Sequence, residues 1–267
     1  MNARGDPAPE RVAATGSTSD DLLARVHAAA AAGAASFPPC LLVADRQSAG
    51  RGRQGRRWHA EPGSSLTFSI AWPCARADLS GLSLAIGCAL AEALDSPGHT
   101  PRIGLKWPND LWLRDDSIDA ASPAGRKLAG ILVETAPLGR GRIAVVGIGI
   151  NVRALAVADA ASGVASLDEI DTDATPGTTL ARVAPALFRA LRSFDGAGFA
   201  PFADRFAARD VLRGRRVAGT GANGAVEGIA TGVGDDGALR IATAGGTIAV
   251  VSGEWRLVRI EPAGSPC

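Results

Sequence analysis

Hydrophobic positions along the chain switch between two periods. Leu22–Ala32 is an Ala-rich apolar run behind Ser17-Thr18-Ser19-Asp20-Asp21. Hydroxyls and carboxylates in that position predict a capped helix start. Leu79, Leu82, Ile86 and Leu90 recur at helical spacing, and helices are expected over Leu79–Leu94, Thr179–Phe194 and Phe199–Arg209. Between and around them lie runs with strand character: Leu41–Ala44, Leu66–Trp72, Ile103–Trp107, Leu111–Leu113, Lys127–Thr135 and Ile143–Ile150. Three stretches have no period. Residues 1–14 are polar and contain Pro, and read as a disordered or extended lead-in. Arg114–Gly125 carries three Asp and a Pro and reads as a surface loop, and Arg153–Gly177 as a loop with a short helix. From about Val211 the pattern changes to short β-runs between Gly turns: Arg216–Thr220, Val226–Val233, Leu239–Thr243, Thr247–Val251 and Trp255–Ile260. Five such runs predict a small barrel. The expected division is a lead-in over 1–14, a main domain over 15–210 and a barrel over 211–267.

Composition narrows the classes. The 267 residues are 46% apolar, enough for a substantial core, and the net charge is +1. No general electrostatic footprint for nucleic acid or anionic membrane exists. The Arg213–Arg216 stretch beside a barrel suggests a nucleic-acid module, and the near-zero charge argues against it. The four cysteines show no C-x-x-C spacing and there are three histidines, which disfavours a structural zinc site. Cys88 sits in an apolar run and reads as a small core residue. Met1–Arg11 has no apolar core of signal-peptide length, and no run of 18 apolar residues occurs. A cytoplasmic protein with free thiols and no membrane segment is expected.

Basicity is instead local. Gly50–Trp58 reads G-R-G-R-Q-G-R-R-W, three glycines and four arginines in nine residues. Glycine allows close approach to a ligand, and arginine supplies a planar fork of donors for phosphate or carboxylate. The stretch formally matches G-x-G-x-x-G, but a dinucleotide fold needs a helix next. Turn chemistry, Glu61-Pro62-Gly63-Ser64-Ser65, follows instead. A loop that closes over an anion fits better; a solvated basic loop is the plain alternative.

Three further clusters need explaining with it. Lys106-Trp107-Pro108-Asn109-Asp110 is a strand ending in a stiff turn with an amide and a carboxylate. In Arg126–Glu134, Lys127 opens an otherwise apolar strand, and Gly130 permits close approach. Gly147-Ile148-Gly149-Ile150-Asn151 is a buried strand ending in an amide. Each has a plain alternative. Lys106 can be a solvated strand end, Asn109-Asp110 a turn, Lys127 a snorkelling side chain, and Gly147 with Gly149 a bulge. Together they gather cations, amides and a carboxylate at strand ends around one Gly-rich loop. That is the equipment for bringing a nucleoside triphosphate and a carboxylate together.

In identity, order and approximate spacing, G-R-G-R-Q-G-R-x-W, K-W-P-N-D-L, R-K-L-A-G-I-L-V-E and G-I-G-I-N-V resemble the motifs of the biotin–protein ligases. The S-T-S-D start and Gln47-Ser48-Ala49 agree, so the resemblance runs from Ser17 to the C-terminus. It implies an α+β fold, a mixed β-sheet with helices related to class II aminoacyl-tRNA synthetases and lipoate ligases, plus a C-terminal SH3-like β-barrel. It implies a ligase that makes biotinyl-5′-AMP from biotin and Mg-ATP. Biotin then passes to a lysine of the biotin carboxyl carrier domain of a carboxylase. Only 16 residues precede Ser17, so the short form without a DNA-binding domain is expected; a homodimer is left open. By this resemblance Ser17, Thr18, Ser19 and Gln47 bind biotin, with Gly50, Arg51, Gly52, Arg53, Lys127 and Gly130. Arg51, Arg53, Trp58, Lys106, Asn109, Asp110 and Asn151 bind ATP, Asp110 being the candidate Mg2+ ligand. Lys127 and Arg53 are the implied catalytic residues. A lipoate-type ligase on the same fold and a non-catalytic biotin sensor are the alternatives. The polar segment at Asp115–Gly125 is longer than the family's tight turn, and no adenine contacts carry over to Arg153–Val164.

Overall fold

The computed structural model describes residues 6–95, 101–114, 125–154, 163–221 and 224–258. The larger sheet contains β1 (Pro9–Thr15), β2 (Cys40–Gln47), β3 (Ser65–Cys74), β4 (Ile103–Lys106), β5 (Asp110–Leu113), β6 (Arg126–Leu138) and β7 (Gly141–Asn151). Its order is β1-β2-β3-β7-β6-β5-β4. Only the β1–β2 pair is parallel. Helices α1 (Thr18–Ala31), α2 (Leu82–Leu94), α3 (Pro176–Ala197) and α4 (Ala203–Ala207) surround it. The second sheet holds β8 (Arg216–Gly221), β9 (Gly224–Val233), β10 (Leu239–Thr243), β11 (Gly246–Val250) and β12 (Trp255–Leu257). Its five antiparallel strands, ordered β11-β10-β9-β8-β12, fit an SH3-like barrel.

The period-2 pattern of β3 explains the layering. Leu66, Phe68, Ile70 and Trp72 point to the side covered by α2 and α3, in the main core. Ser65, Thr67, Ser69 and Ala71 point to the other side. There α1 covers only one end, with Leu22 and Val26 packed on Leu42, Ala71 and Val145. The rest of that face is left for the site. Ser17 caps α1 by accepting from the Asp20 amide, so the helix start opens onto the uncovered region.

Several expectations are corrected. Of the two readings of the lead-in over 1–14, disordered or extended, the structure gives the extended one over Pro9–Thr15, strand β1, paired to β2 from Pro9↔Leu41 to Thr15↔Gln47. Its polar sequence reflects its exposed place at the sheet edge, where backbone pairing and the Arg11–Asp45 and Arg25–Glu10 ion pairs hold it. The expected helix Phe199–Arg209 is a 3-10 turn, Ala200–Phe202, followed by the short α4. Pro201 lies within the 3-10 turn and Phe199 packs on Phe206. α3 starts earlier than expected, at Pro176, behind a Thr175–Thr178 capping box. Helix α2 starts only at Leu82. Cys88 is fully buried, and burial pushes its thiol up to about 12, as a core residue requires. The bulk of the Asp115–Gly125 segment and the end of the last β-run lie outside the described residues, as does much of Arg153–Val164.

The barrel is tied to the larger sheet by the chain that enters it. Leu105 on β4 donates to the Arg209 carbonyl and accepts from Val211, extending the sheet edge into the junction. Trp107, fully buried, donates its indole N–H to the Gly237 carbonyl between β9 and β10 at 3.0 Å. Asp210 sits inside this junction. Burial raises its carboxyl to about 6, against its bonds to the Leu212 and Arg213 amides and the charges of Arg213 and Arg114. A raised folded-state value means the native protein holds the proton more tightly than the unfolded chain. The contribution of Asp210 to stability is therefore fullest at low pH and is lost as pH rises through about 6. From pH 5 to pH 8 the loss is roughly 1 kcal/mol. Asp210→Asn is expected to remove that slope, measured as urea midpoints across the interval.

Candidate active site

The site is built on one row of cross-strand partners. The registers Ala44↔Thr67, Thr67↔Gly149, Gly149↔Gly130, Gly130↔Asp110 and Asp110↔Lys106 run across six strands. Directly paired residues share a face, so two glycines form a bare floor with a carboxylate and an ammonium at one end. A second row, Leu42↔Ser69↔Gly147↔Leu132, lies beside it. By strict alternation Lys127, three residues from Gly130, would face away. The register of β5 on β6 shifts between Leu111 and Trp112, leaving an extra residue in β6. That bulge turns Lys127 onto the open face, where Nζ lies 2.7 Å from Asp110 Oδ1 and 5.7 Å from the centre of the Trp58 ring.

Glycine is required in this floor. A Cβ on Gly149 would come within 2.2 Å of the Trp58 indole, and one on Gly147 within 2.5 Å of Ser19 Oγ. The floor therefore carries the indole flat against backbone. Gly149→Ala is expected to displace Trp58 and cut ligand turnover about 10²-fold, since small misplacements in a site cost that much. Steady-state turnover of the folded variant checks this.

The Gly-Arg stretch is an ordered hairpin across the cavity mouth. Arg51 bridges Arg57, Gly52 donates to the Arg56 carbonyl at 2.7 Å, and Trp58 donates to Gly50 at 2.9 Å. Its tip is a 3-10 turn over Arg53–Gly55, with Gln54 in the left-handed region at φ 57°. Each arginine has a protein partner. Arg51 pairs with Asp20 and, at 2.9 Å, with Glu134. Arg53 reaches Asn109 Oδ1 at 3.3 Å and the Gly253 carbonyl at 3.5 Å. Arg56 pairs with Glu254, and Arg57 donates to the Ser48 carbonyl. Burial lowers the affinity of the Arg53 guanidinium for its proton, and the Arg56 bond holds the Glu254 carboxyl below the usual range.

The cavity under this hairpin brings together Ser17, Thr18, Ser19, Gln47, Arg51, Gly52, Arg53, Trp58, Lys106, Asn109, Asp110, Lys127 and Gly130. One end is neutral: Thr18 N–H and Oγ1 both donate to Gln47 Oε1, at 2.7 and 3.1 Å. The other end is charged. Lys106 packs over Trp112 at 5.3 Å. Burial holds its ammonium below the ordinary lysine range, Asp110 opposing and Lys127 adding to the shift. Asn109 is locked to β6, its Nδ2 donating to the Ile131 carbonyl at 2.8 Å.

Two expected residues are placed otherwise. Asn151 does not line the cavity; its Nδ2 donates to the Ala165 carbonyl at 3.1 Å and toward Lys127 O at 3.4 Å. As the buried last residue of β7, its amide is taken up by these carbonyls. Gly50 shapes the hairpin base, where a Cβ would meet the Trp58 carbonyl at 2.7 Å, and is not in the lining. Sequence reasoning missed Thr67 and Ser69, which the polar period-2 positions of β3 signal. It also missed Gly253, Glu254 and Trp255, which the barrel contributes and for which no local signal exists.

Comparison with known proteins agrees with this geometry. Residues 38–151 match the biotin/lipoate A/B protein ligase family, and residues 213–254 match the biotin protein ligase C terminal domain. The chain is 34% identical over 259 residues to a biotin--[acetyl-CoA-carboxylase] ligase of Mycobacterium tuberculosis, covering 91% of this chain and 86% of the relative. It is 35% identical over 202 residues to the bifunctional ligase/repressor BirA of Escherichia coli, covering 74% of this chain. The match spans 60% of that relative's length. The structure resembles the Aquifex aeolicus biotin protein ligase in complex with biotin and ATP, with a TM-score of 0.74 and 28% identity. That likeness covers 94% of this chain and 99% of the other. With both family models matched in order and the relatives agreeing, the chain belongs to the biotin protein ligase family.

Proposed function

We propose that the protein joins biotin to a lysine of a carrier domain in two steps. The biotin carboxylate attacks the α-phosphorus of ATP, giving biotinyl-5′-AMP and pyrophosphate. The lysine amine of a biotin carboxyl carrier domain then attacks the acyl carbon; an amide forms, AMP leaves and the amine loses a proton. The observation that carries this reading is the position of Lys127. The bulge in β6 sets its ammonium between a neutral hydroxyl-amide end and a cationic end.

The roles follow from that polarity. Ser17, Thr18, Ser19 and Gln47 suit an uncharged ureido head, and bare Gly130 lets the ligand lie against the strand. Lys106 and Asn109 suit the phosphates, and Trp58 walls the nucleotide. Attack of an anion on a phosphate gathers negative charge, and the cations Lys127, Arg53 and Arg51 would offset it. Gly50 and Gly52 let the hairpin bend, and a closed hairpin keeps water from the reactive anhydride. Mg2+ would lower the charge on the triphosphate. Asp110 is the carboxylate at hand, and among the described residues no cluster of three or more acidic, His or Cys side chains could hold a metal. Such a site suits an ion carried in on phosphates. Pyrophosphate release measured with biotin and with lipoic acid tests the reading: release with biotin alone is expected, and release only with lipoic acid would replace it.

A further inference from the structure

The neutral end of the cavity contains a polar residue with no role above. Ser69, in the middle of β3, is fully buried. Its Oγ lies 2.7 Å from Thr18 Oγ1 and 2.9 Å from Ser19 Oγ. Each hydroxyl owns one hydrogen, and counting hydrogens gives the contacts a direction. The Thr18 backbone N–H donates to Gln47 Oε1, which fixes the amide's orientation and makes that oxygen an acceptor. Thr18 Oγ1, 3.1 Å from the same oxygen, must spend its hydrogen there. The reverse arrangement would leave two sets of lone pairs facing each other in a buried place. Thr18 then accepts from Ser69, and Ser69, its hydrogen spent, accepts from Ser19. The chain runs Ser19 to Ser69 to Thr18 to Gln47. Thr67 stays outside it, donating to the Ala44 carbonyl.

We infer that Ser69 is a positioning residue that orders the hydroxyl hydrogens at this end, fixing which atoms accept and which donate toward a ureido head. With the hydrogens of Ser19, Ser69 and Thr18 committed inward, Ser19 and Thr18 offer lone pairs to the ligand, and Gln47 Nε2 offers donors. A cyclic urea, with two N–H groups and one carbonyl oxygen, matches that set. Without Ser69 the Ser19 hydrogen is free to turn outward and meet a ligand N–H. This inference rests on the biotin reading and adds the residue that sets the polarity of its head-group end.

The test is the kinetics of biotin-dependent pyrophosphate release for the wild-type chain, Ser69→Ala and Ser69→Cys. Cysteine keeps the side-chain shape with a somewhat larger atom but is a weak donor and acceptor. In both variants the KM for biotin is expected to rise roughly ten- to thirtyfold, the size of a lost buried hydrogen bond. The kcat and the KM for ATP should stay within about twofold. An unchanged KM for biotin in Ser69→Ala overturns the inference. So do equal losses for biotin and ATP in both variants, which would mark a purely structural serine. A wild-type chain that releases no pyrophosphate with biotin would instead remove the ligase reading itself.

Discussion

Lys127→Ala is expected to lower biotinyl-adenylate formation about 10³-fold while leaving the protein folded, the loss typical of removing a fixed charge from a reacting centre. Lys127 reaches the centre only because β6 carries an extra residue there. Its ammonium lies between Asp110, at 2.7 Å, and the face of Trp58. Neither partner needs it for folding. The Lys127 side chain is 31% exposed and that of Asp110 17%, so losing the pair is expected to cost some stability without unfolding the protein. Lys106, the ammonium at the end of the row, belongs to β4 two strands away and packs on Trp112, so it does not substitute. Lys127→Arg is expected to be nearly as poor, because a planar fork does not replace a point charge in a fitted site. Biotin-dependent pyrophosphate release, with circular dichroism as the fold control, checks both. A wild-type rate in folded Lys127→Ala would remove this residue from the mechanism.

Arg53→Gly is expected to change the fate of the adenylate more than its formation. Arg53 stands at the hairpin tip and is half-buried. It links the tip to Asn109 on one side and to the barrel's Gly253 carbonyl on the other. Arg51 and Arg56 hold the hairpin to Asp20, Glu134 and Glu254 and remain in the variant. The hairpin therefore persists but loses the side chain that ties its tip to Asn109 and to the barrel's Gly253 carbonyl. A hydrogen bond to a charged group is worth about 1.5–3 kcal/mol, so the adenylate's escape rate should rise at least about tenfold. Escaped biotinyl-AMP acylates exposed lysines without a catalyst. The variant should label albumin added to the reaction, whereas the wild-type chain labels the carrier domain alone. A variant that is slow yet still confined to the carrier would leave Arg53 as an ordinary substrate contact.

Much of this site is legible in the sequence because its residues cluster in short motifs at strand ends. Gly50–Trp58, Lys106–Asp110, Arg126–Glu134 and Gly147–Asn151 are each visible alone, and the sheet order brings residues of the last three onto one row under the Gly-Arg hairpin. What the sequence conceals is register. That Gly130 lies opposite Gly149, and that a bulge turns Lys127 inward, follows from pairing between strands. No local pattern encodes it. Ser69 is visible as a polar position in the period-2 pattern of β3, but its role is not, because that appears only when Thr18 and Ser19 are packed against it. The barrel's Glu254 lies 198 residues from its partner Arg56. Strand β1 was masked by its own exposure, since an edge strand held by backbone bonds needs no apolar face. The partner of Asn151 is hidden too, because its amide donates to the Ala165 carbonyl, fourteen residues away on a separate segment.

The central claim is that one cavity activates biotin and passes it to a protein lysine. Intact-mass measurement of a biotin carboxyl carrier domain, incubated with this protein, biotin and Mg-ATP, tests it most directly. The account predicts a gain of one biotin, absent without ATP and absent when the carrier's acceptor lysine is replaced. An unmodified carrier, beside a wild-type protein that is folded and binds biotin, would contradict it.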